Sequence, residues 1–527
     1  MITSNVKNPG VYINEINGFP NSVVPIATAV PAFIGYTPQA EYQGKSYYNK
    51  AQKITSFAEF QAFYMLPDPP ALASPAVQYK PEYYLVESSD KPEKGDYMII
   101  EGKFYSILPD PNTIYYMYNS IRLFYENGGG DAYIVAVGGY GEPSKKPQEV
   151  PAEQIINPNV KLTDLQAGLA LLKNEEEPTM YICPEATLLA PADNGTLMQS
   201  MLLQAQDMQT ALCIFDVIGG RDPDPILYTD DIEQFRNSTG SQGLKYGASY
   251  YPFVGTTISS RTDINYTNLF GGDIKSLEPL LNPPTNPNPS AASILGTIEN
   301  PGGNPLTVDQ YNSALLNASK TYVQIMDNVL KGVNILPPSA GMAGLYTVND
   351  NQSGVWHAPA NVSMVAVAGL PIRLSNDQQA DLNVDAISGK SINAIRFFNG
   401  QGILVWGART LDGNSQDWRY ISVRRTMTFL EQSVKAAARA YVFEPNDSNT
   451  WMAVKSMISS FLTSIWQEGG LQGASAEDAY QVEIGLGSTM TADDLLNGFM
   501  NVTVKVAVVR PAEFILITFQ QQMAKSG

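Results

Sequence analysis

Tyr115-Tyr-Met-Tyr-Asn-Ser-Ile-Arg-Leu-Phe-Tyr125, then Asn127-Gly-Gly-Gly130, then Ala132-Tyr-Ile-Val-Ala-Val137 read as a helix, its stop and a strand. The glycine run suits a helix C-cap and turn, and the apolar run after it is short enough for a buried strand. The alternation continues downstream. A helix at 163–173 leads to a strand at 179–183, one at 195–209 to 211–217, and one at 231–237 towards Tyr246–Val254. Strands alternating with helices predict an open, largely parallel sheet.

Upstream, Ser56-Phe-Ala-Glu59 is a capping-box pattern followed by Phe60, Phe63 and Tyr64 at helical spacing, and Pro67, Pro69 and Pro70 stop that helix. Residues 67–112 are rich in Pro and Tyr, with a hairpin expected at Tyr97–Leu108 turning near Glu101-Gly-Lys103. Further on, 281–306 is dense in Pro, Asn, Gly and Ser and is expected to be an exposed loop. One long helix is expected from Leu315 to Gly332.

The last third changes character. A helix around 421–441 precedes Glu444-Pro-Asn-Asp447, a stop and a new cap. Trp451, Val454, Ile458, Phe461, Leu462 and Ile465 then make one apolar stripe, and short strands follow Gly469-Gly470. Helices grouped before strands predict a second, α+β domain.

Both chain ends are written as strands. Pro9-Gly-Val-Tyr-Ile-Asn-Glu-Ile16 opens on a turn signal, and Val502, Val504, Val506 and Val508 alternate with Thr503, Lys505 and Ala507. Arg510-Pro511 interrupts, and Glu513–Phe519 resumes with apolar residues on both faces. Such ends either pair within their own domain or add strands to an adjacent copy.

The 527 residues, 44% hydrophobic, suffice for several domains. No apolar run is long enough to span a membrane, and no signal-peptide pattern opens the chain, so cytosolic synthesis is expected. A net charge of −18 argues against a nucleic-acid binder. Cys183 and Cys213 lie in apolar runs and read as buried thiols, with a disulfide not excluded. A single histidine, His357, with two separated cysteines does not make a structural zinc site. Gly138, Gly139 and Gly141 do not match a dinucleotide fingerprint, and no P-loop occurs. Asp230-Asp231 and Asp493-Asp494 read as helix-start acids. No catalytic, metal or cofactor constellation is selected, although an acid pair in an α/β enzyme stays open. One segment departs from the charge balance: 396–439 holds Arg396, Arg409, Arg419, Arg424, Arg425, Lys435 and Arg439 against Asp412, Asp417 and Glu431. It either pairs internally or forms a docking face for an acidic partner.

Several strings resemble contractile tail sheath proteins, in family order along nearly the whole chain. They include 9–16, Ile54-Thr-Ser-Phe-Ala-Glu-Phe60, Phe124-Tyr-Glu-Asn-Gly-Gly129, Tyr246-Gly-Ala-Ser-Tyr-Tyr-Pro-Phe253, Pro337–Gly344 and Gly354–Asn361. The strongest block is C-terminal: Gly402–Thr410, Trp418–Arg425, Phe443-Glu-Pro-Asn-Asp447 and Arg510-Pro-Ala-Glu-Phe514.

The resemblance implies a multi-domain tail-sheath fold, α/β plus α+β, with strand-exchanging terminal arms. The implied division is an N-terminal arm at 1–22, a largely parallel α/β outer domain at 23–365, an inner α+β domain at 366–509 and a C-terminal arm at 510–527. Inserts near 67–112 and 261–312 are expected to decorate the outer surface. The implied function is structural: a homopolymeric helical sheath of stacked hexamers around an inner tube protein, with baseplate and terminal cap proteins as further partners. No enzyme activity, cofactor, metal, nucleic acid or direct membrane insertion is implied. Val11, Tyr12, Ile13, Phe514, Ile515, Leu516, Ile517 and Phe519 would form the subunit-interface arms. Lys435 and Arg439, then Arg424 and Arg425, would meet the inner tube. Assembly in a bacterial cytoplasm is expected, within a phage tail-like particle that can act outside the cell, and an extracellular contractile injection system is preferred. Another tail part, such as a baseplate or terminal protein, is the alternative.

Overall fold

The computed structural model describes residues 22–67, 77–92, 97–144, 154–226, 228–303 and 305–517. The chain divides into two units, residues 27–425 and residues 426–527 with 1–26, and the division falls within the helix Ile421–Ala438. The boundary expected at 366 therefore lies at 426. The reason is sheet pairing: strands within 393–406 join the sheet of the larger unit.

That sheet has eight strands: β1 (Pro31–Tyr36), β2 (Ala51–Ile54), β3 (Ala132–Gly138), β4 (Met180–Ile182), β5 (Leu212–Asp216), β6 (Gly247–Tyr251), β7 (Asn393–Phe398) and β8 (Gly402–Trp406). Their order is β8-β7-β6-β5-β4-β1-β3-β2. The six central strands are parallel, and β2 and β8 close the edges antiparallel. The expected largely parallel sheet is present. Every residue of β1, β4, β5 and β6 is buried, which is why these strands are apolar on both faces.

The deciding stretch folds as read. A helix at Met117–Glu126 ends at Asn127, and Gly128 takes φ +79°, a value that suits glycine. The Gly129 N–H returns to the Phe124 carbonyl at 3.0 Å. The turn then delivers the chain to β3, which pairs with β1 in the register Ala32 to Tyr133.

Two excursions leave this sheet and share a second core within the same unit. The first carries the strands Tyr83–Ser88, Tyr97–Ile100 and Lys103–Pro109, closed at its base by the Asp110 N–H to the Glu82 carbonyl at 2.7 Å. The hairpin turns at Glu101-Gly102, as expected. The second leaves after Val254–Thr256 and returns at Ile335–Leu336, two strands that pair antiparallel. Tyr83, Leu85, Met98 and Ile100 of the first pack with Leu269, Leu277, Tyr322 and Val329 of the second.

Two expectations fail in the second excursion. Residues 281–306 are not simply a loop, because Pro289–Glu299 is a helix. Asn288 caps it, accepting the Ala291 N–H at 3.1 Å, and Pro289 occupies the first helical position, so an Asn-Pro pair read as loop is a helix start. The single long helix is two, Val308–Ala318 and Lys320–Val333, divided at Ser319, whose hydroxyl caps the second.

In the smaller unit the helix Ser448–Gln467 buries Val454, Met457, Ile458, Phe461, Leu462 and Ile465, the predicted stripe with Met457 added and Trp451 only half-buried. It packs on β9 (Tyr480–Ile484), which pairs antiparallel with β10 (Val502–Val506).

Candidate assembly surfaces

The C-terminal hairpin is held from behind. The Thr463 and Tyr480 hydroxyls meet at 2.6 Å, tying the helix to the first residue of β9. Past β10 the chain stays anchored for a few residues: the Ala507 N–H reaches the Ala479 carbonyl at 2.8 Å, and the Gln472 N–H reaches the Ala507 carbonyl at 2.7 Å. Among the described residues β9 and β10 pair only with each other, leaving one side of each strand open. A two-stranded sheet of this kind is marginal alone and a template for further strands.

Beyond Val509 the arm leaves that support. Phe514, Ile515, Leu516 and Ile517 are 69–95% exposed and lie in no strand, so the second strand expected at 513–519 does not form within the subunit as far as it is described. Four consecutive large apolar side chains in water are an interaction signal. Val11, Tyr12, Ile13 and Phe519 lie outside the described residues.

The basic segment resolves mostly into internal structure. Arg425 is buried and donates to both carboxylate oxygens of the buried Asp350, at 2.9 and 2.6 Å, and to the Thr28 carbonyl at 2.9 Å. Its guanidinium also lies over the Tyr346 ring at 4.6 Å. Arg424 is buried over Trp418 at 4.4 Å and Tyr246 at 4.9 Å. Burial removes Arg424 and Arg425 from the surface in this structure and corrects their assignment to a tube contact. Arg396 and Arg409 are buried too, Arg396 reaching Asn376 at 3.0 Å and Arg409 the Gly413 carbonyl at 3.3 Å. Of the seven basic residues only Lys435 and Arg439 are exposed.

His357 is exposed in the turn after Gly354, its backbone N–H on the Gly354 carbonyl at 3.0 Å. Cys183 and Cys213 are buried free thiols. Among the described residues no group of three His, Cys, Asp or Glu side chains is placed to hold a metal. Ligands of parallel α/β sheets sit outside the carboxyl ends of the strands. On that side, Tyr116, Thr187, Arg221 and Phe253 line a cavity of about 20 Å³, room for about one water.

With that geometry in hand, residues 414–522 match the family model described as the phage tail sheath C-terminal domain. A tail sheath protein of Vibrio phage KVP40 is 32% identical over 163 residues, 30% of this chain and 24% of that protein. The chain thus spans about a quarter of the length of the curated relatives it matches. A chain of the anti-feeding prophage (AFP) helical sheath in the contracted state superposes on 98% of this chain and 100% of its own, with a TM-score of 0.56 and 26% identity. A chain of the 6-fold symmetrised AFP baseplate gives the same values. The resemblance to contractile tail sheath proteins, read first from short strings, holds along the length of the chain.

Proposed function

We propose that this chain is the sheath subunit of a phage-tail-like contractile machine. Copies polymerise as stacked hexamers into a helical sheath around an inner tube, and contraction drives the tube through a target envelope. The observation that carries this reading is the likeness over 98% of the chain to a subunit of a contracted helical sheath. A head-to-tail contact that does not close on itself gives such an open array. Contraction is then a cooperative change between two packings of the same subunits.

In this reading the arms lend strands to neighbours, Val11, Tyr12 and Ile13 from one end and Phe514–Ile517 with Phe519 from the other. Exposure of the four apolar residues beside the open hairpin supports it. Lys435 and Arg439 face the inner tube. Baseplate and terminal cap proteins complete the particle, assembled in a bacterial cytoplasm and acting outside the cell as an extracellular contractile injection system.

The test is electron microscopy of the purified chain with and without residues 1–17 and 513–527. Full-length protein should form long tubes, and the doubly truncated protein should stay cooperatively folded yet form none. Normal tubes from the truncated chain would sink strand exchange, and a small closed oligomer from the full chain would sink the sheath reading. The likeness to a baseplate chain favours a second reading, a component confined to one end of the particle. Antibody labelling along isolated particles separates the two.

A further inference from the structure

Strand order reverses between β1 and β4, and two carboxyl groups are sealed at the carboxyl ends of the neighbouring strands β4 and β5. Glu185 follows β4 in the turn Pro184–Leu188 and is fully buried. Its Oε1 accepts the Met117 N–H at 2.8 Å, while Oε2 has no hydrogen-bond partner among the described residues. Gly35 makes the room: a Cβ there would lie 2.3 Å from Oε2. Asp216 ends β5 and accepts the Ser339 N–H at 2.9 Å and the Ser339 hydroxyl at 2.5 Å.

Met117 and Ser339 are the first residues of two helices, Met117–Glu126 and Ser339–Ser353, that pack against each other. Neither helix has a side-chain cap of its own, since Tyr116 and Pro338 provide none. Each buried carboxyl therefore serves as the acceptor its helix start lacks.

Among the described residues no counter-cation accompanies them. Tyr36 on β1, Tyr115 before the first helix, Tyr140 beyond β3 and Cys183 after β4 act electrostatically with Glu185. Tyr116 and Cys183 do so with Asp216. Arg221, half-buried, acts with Tyr116, Asp222 and Tyr83. A carboxylate shut away from water without a cation is costly, and such a group stays neutral instead.

We propose that Glu185 and Asp216 form a pH-sensitive clasp: both stay protonated while the two helices are docked on the sheet, and their ionisation as the pH rises weakens that docking. Burial pushes Glu185 up to about 8 and Asp216 up to about 7, against the pull of the N–H groups and the Ser339 hydroxyl. In the unfolded chain both would ionise at about pH 4. Between those limits the folded unit holds protons that the unfolded chain has released, so its stability is full below about pH 4 and falls as the pH rises. The unfolding constant should rise up to about tenfold per pH unit for each group, to about pH 7 for Asp216 and about pH 8 for Glu185.

The experiment is thermal or urea unfolding of the full chain from about pH 5 to pH 8, for wild type, Glu185→Gln and Asp216→Asn. Each variant keeps an acceptor and cannot ionise, so each should remove its share of the slope. Variants with the wild-type slope would overturn the clasp. A second reading needs only native wild-type protein: an infrared C=O band of protonated carboxyl at about pH 6 that fades as the pH is raised to 9. Its absence at pH 6 would overturn the proposal even if a variant failed to fold.

Discussion

The unit of residues 27–425 and the unit of residues 426–517 with 22–26 treat apolar surface in opposite ways. The larger unit covers both faces of its central strands and closes a second core of its own. Among the described residues it exposes fifteen large apolar side chains, whereas the smaller unit, about a quarter as long, exposes twelve. Four of the twelve are consecutive, at 514–517, and they follow a sheet of only two strands. A body with that much unmet apolar surface is suited to a crowded interface. The larger unit covers most of its apolar surface in its own interior, whereas the smaller leaves a greater share of it exposed for its length.

The largest effect should come from breaking the interior closure of the larger unit. Replacing 83–109 with a short Gly-Ser linker removes Tyr83, Leu85, Met98 and Ile100 from the second core. At roughly 1.5–3 kcal/mol per buried side chain, the loss exceeds what the partner excursion can absorb. The helices within 264–333 should lose protection in hydrogen exchange while β1, β3, β4 and β5 keep theirs. The two inserts would then be one module, not two independent decorations. Unchanged protection at 264–333 would break that part of the comparison and restore the first insert as separately dispensable.

Next is the polar closure of the same unit. Arg425→Met strands Asp350, whose side chain is only 3% exposed, and should cost about 3–5 kcal/mol in urea unfolding. Adding Asp350→Leu should recover most of it, because removing both charges also removes the desolvation problem. Equal losses in the single and double variants would show that Arg425 acts through its packing on Tyr346 instead.

What could be read from sequence follows the same division. β3, β4 and β5 were legible because helices space them and turns bound them. β1 was not, although it is central: Pro31–Tyr36 has no period-2 signal, being covered on both faces, and its partners lie a hundred or more residues away. β7 and β8 were missed as well, although they form a local antiparallel hairpin, and with them the unit boundary. The apolar run at 513–519 reads as a strand in sequence, whereas Phe514–Ile517 lie exposed and in no strand of their own subunit, because nothing among its described residues pairs with them. Arg424 and Arg425 were misjudged because a local count of charge sees neither Asp350, 75 residues upstream, nor the rings of Tyr246 and Trp418. Charge is a local property of sequence, whereas its neutralisation is a property of the fold.

The smallest effect on the subunit should come from the surface of the smaller unit. Lys435→Glu with Arg439→Glu changes two exposed residues on the last turns of the helix from Ile421 and the 3-10 turn after it. Surface substitutions of this kind usually move stability within about ±0.5 kcal/mol, so unfolding should be nearly that of wild type. Any large effect must then appear in assembly. Exposed ion pairs are worth only about 0–1 kcal/mol each and weaken with salt, but a sheath repeats the same contact in every subunit. If the two residues meet the inner tube, the variant should still polymerise while giving sheaths that are empty or contracted early, and raising the salt should push wild type towards the same state. Electron microscopy of particles across a salt series measures this. Variant particles that stay extended and tube-filled over the wild-type range would place the tube contact elsewhere, and would leave the exposed apolar residues as the part of the smaller unit that carries assembly.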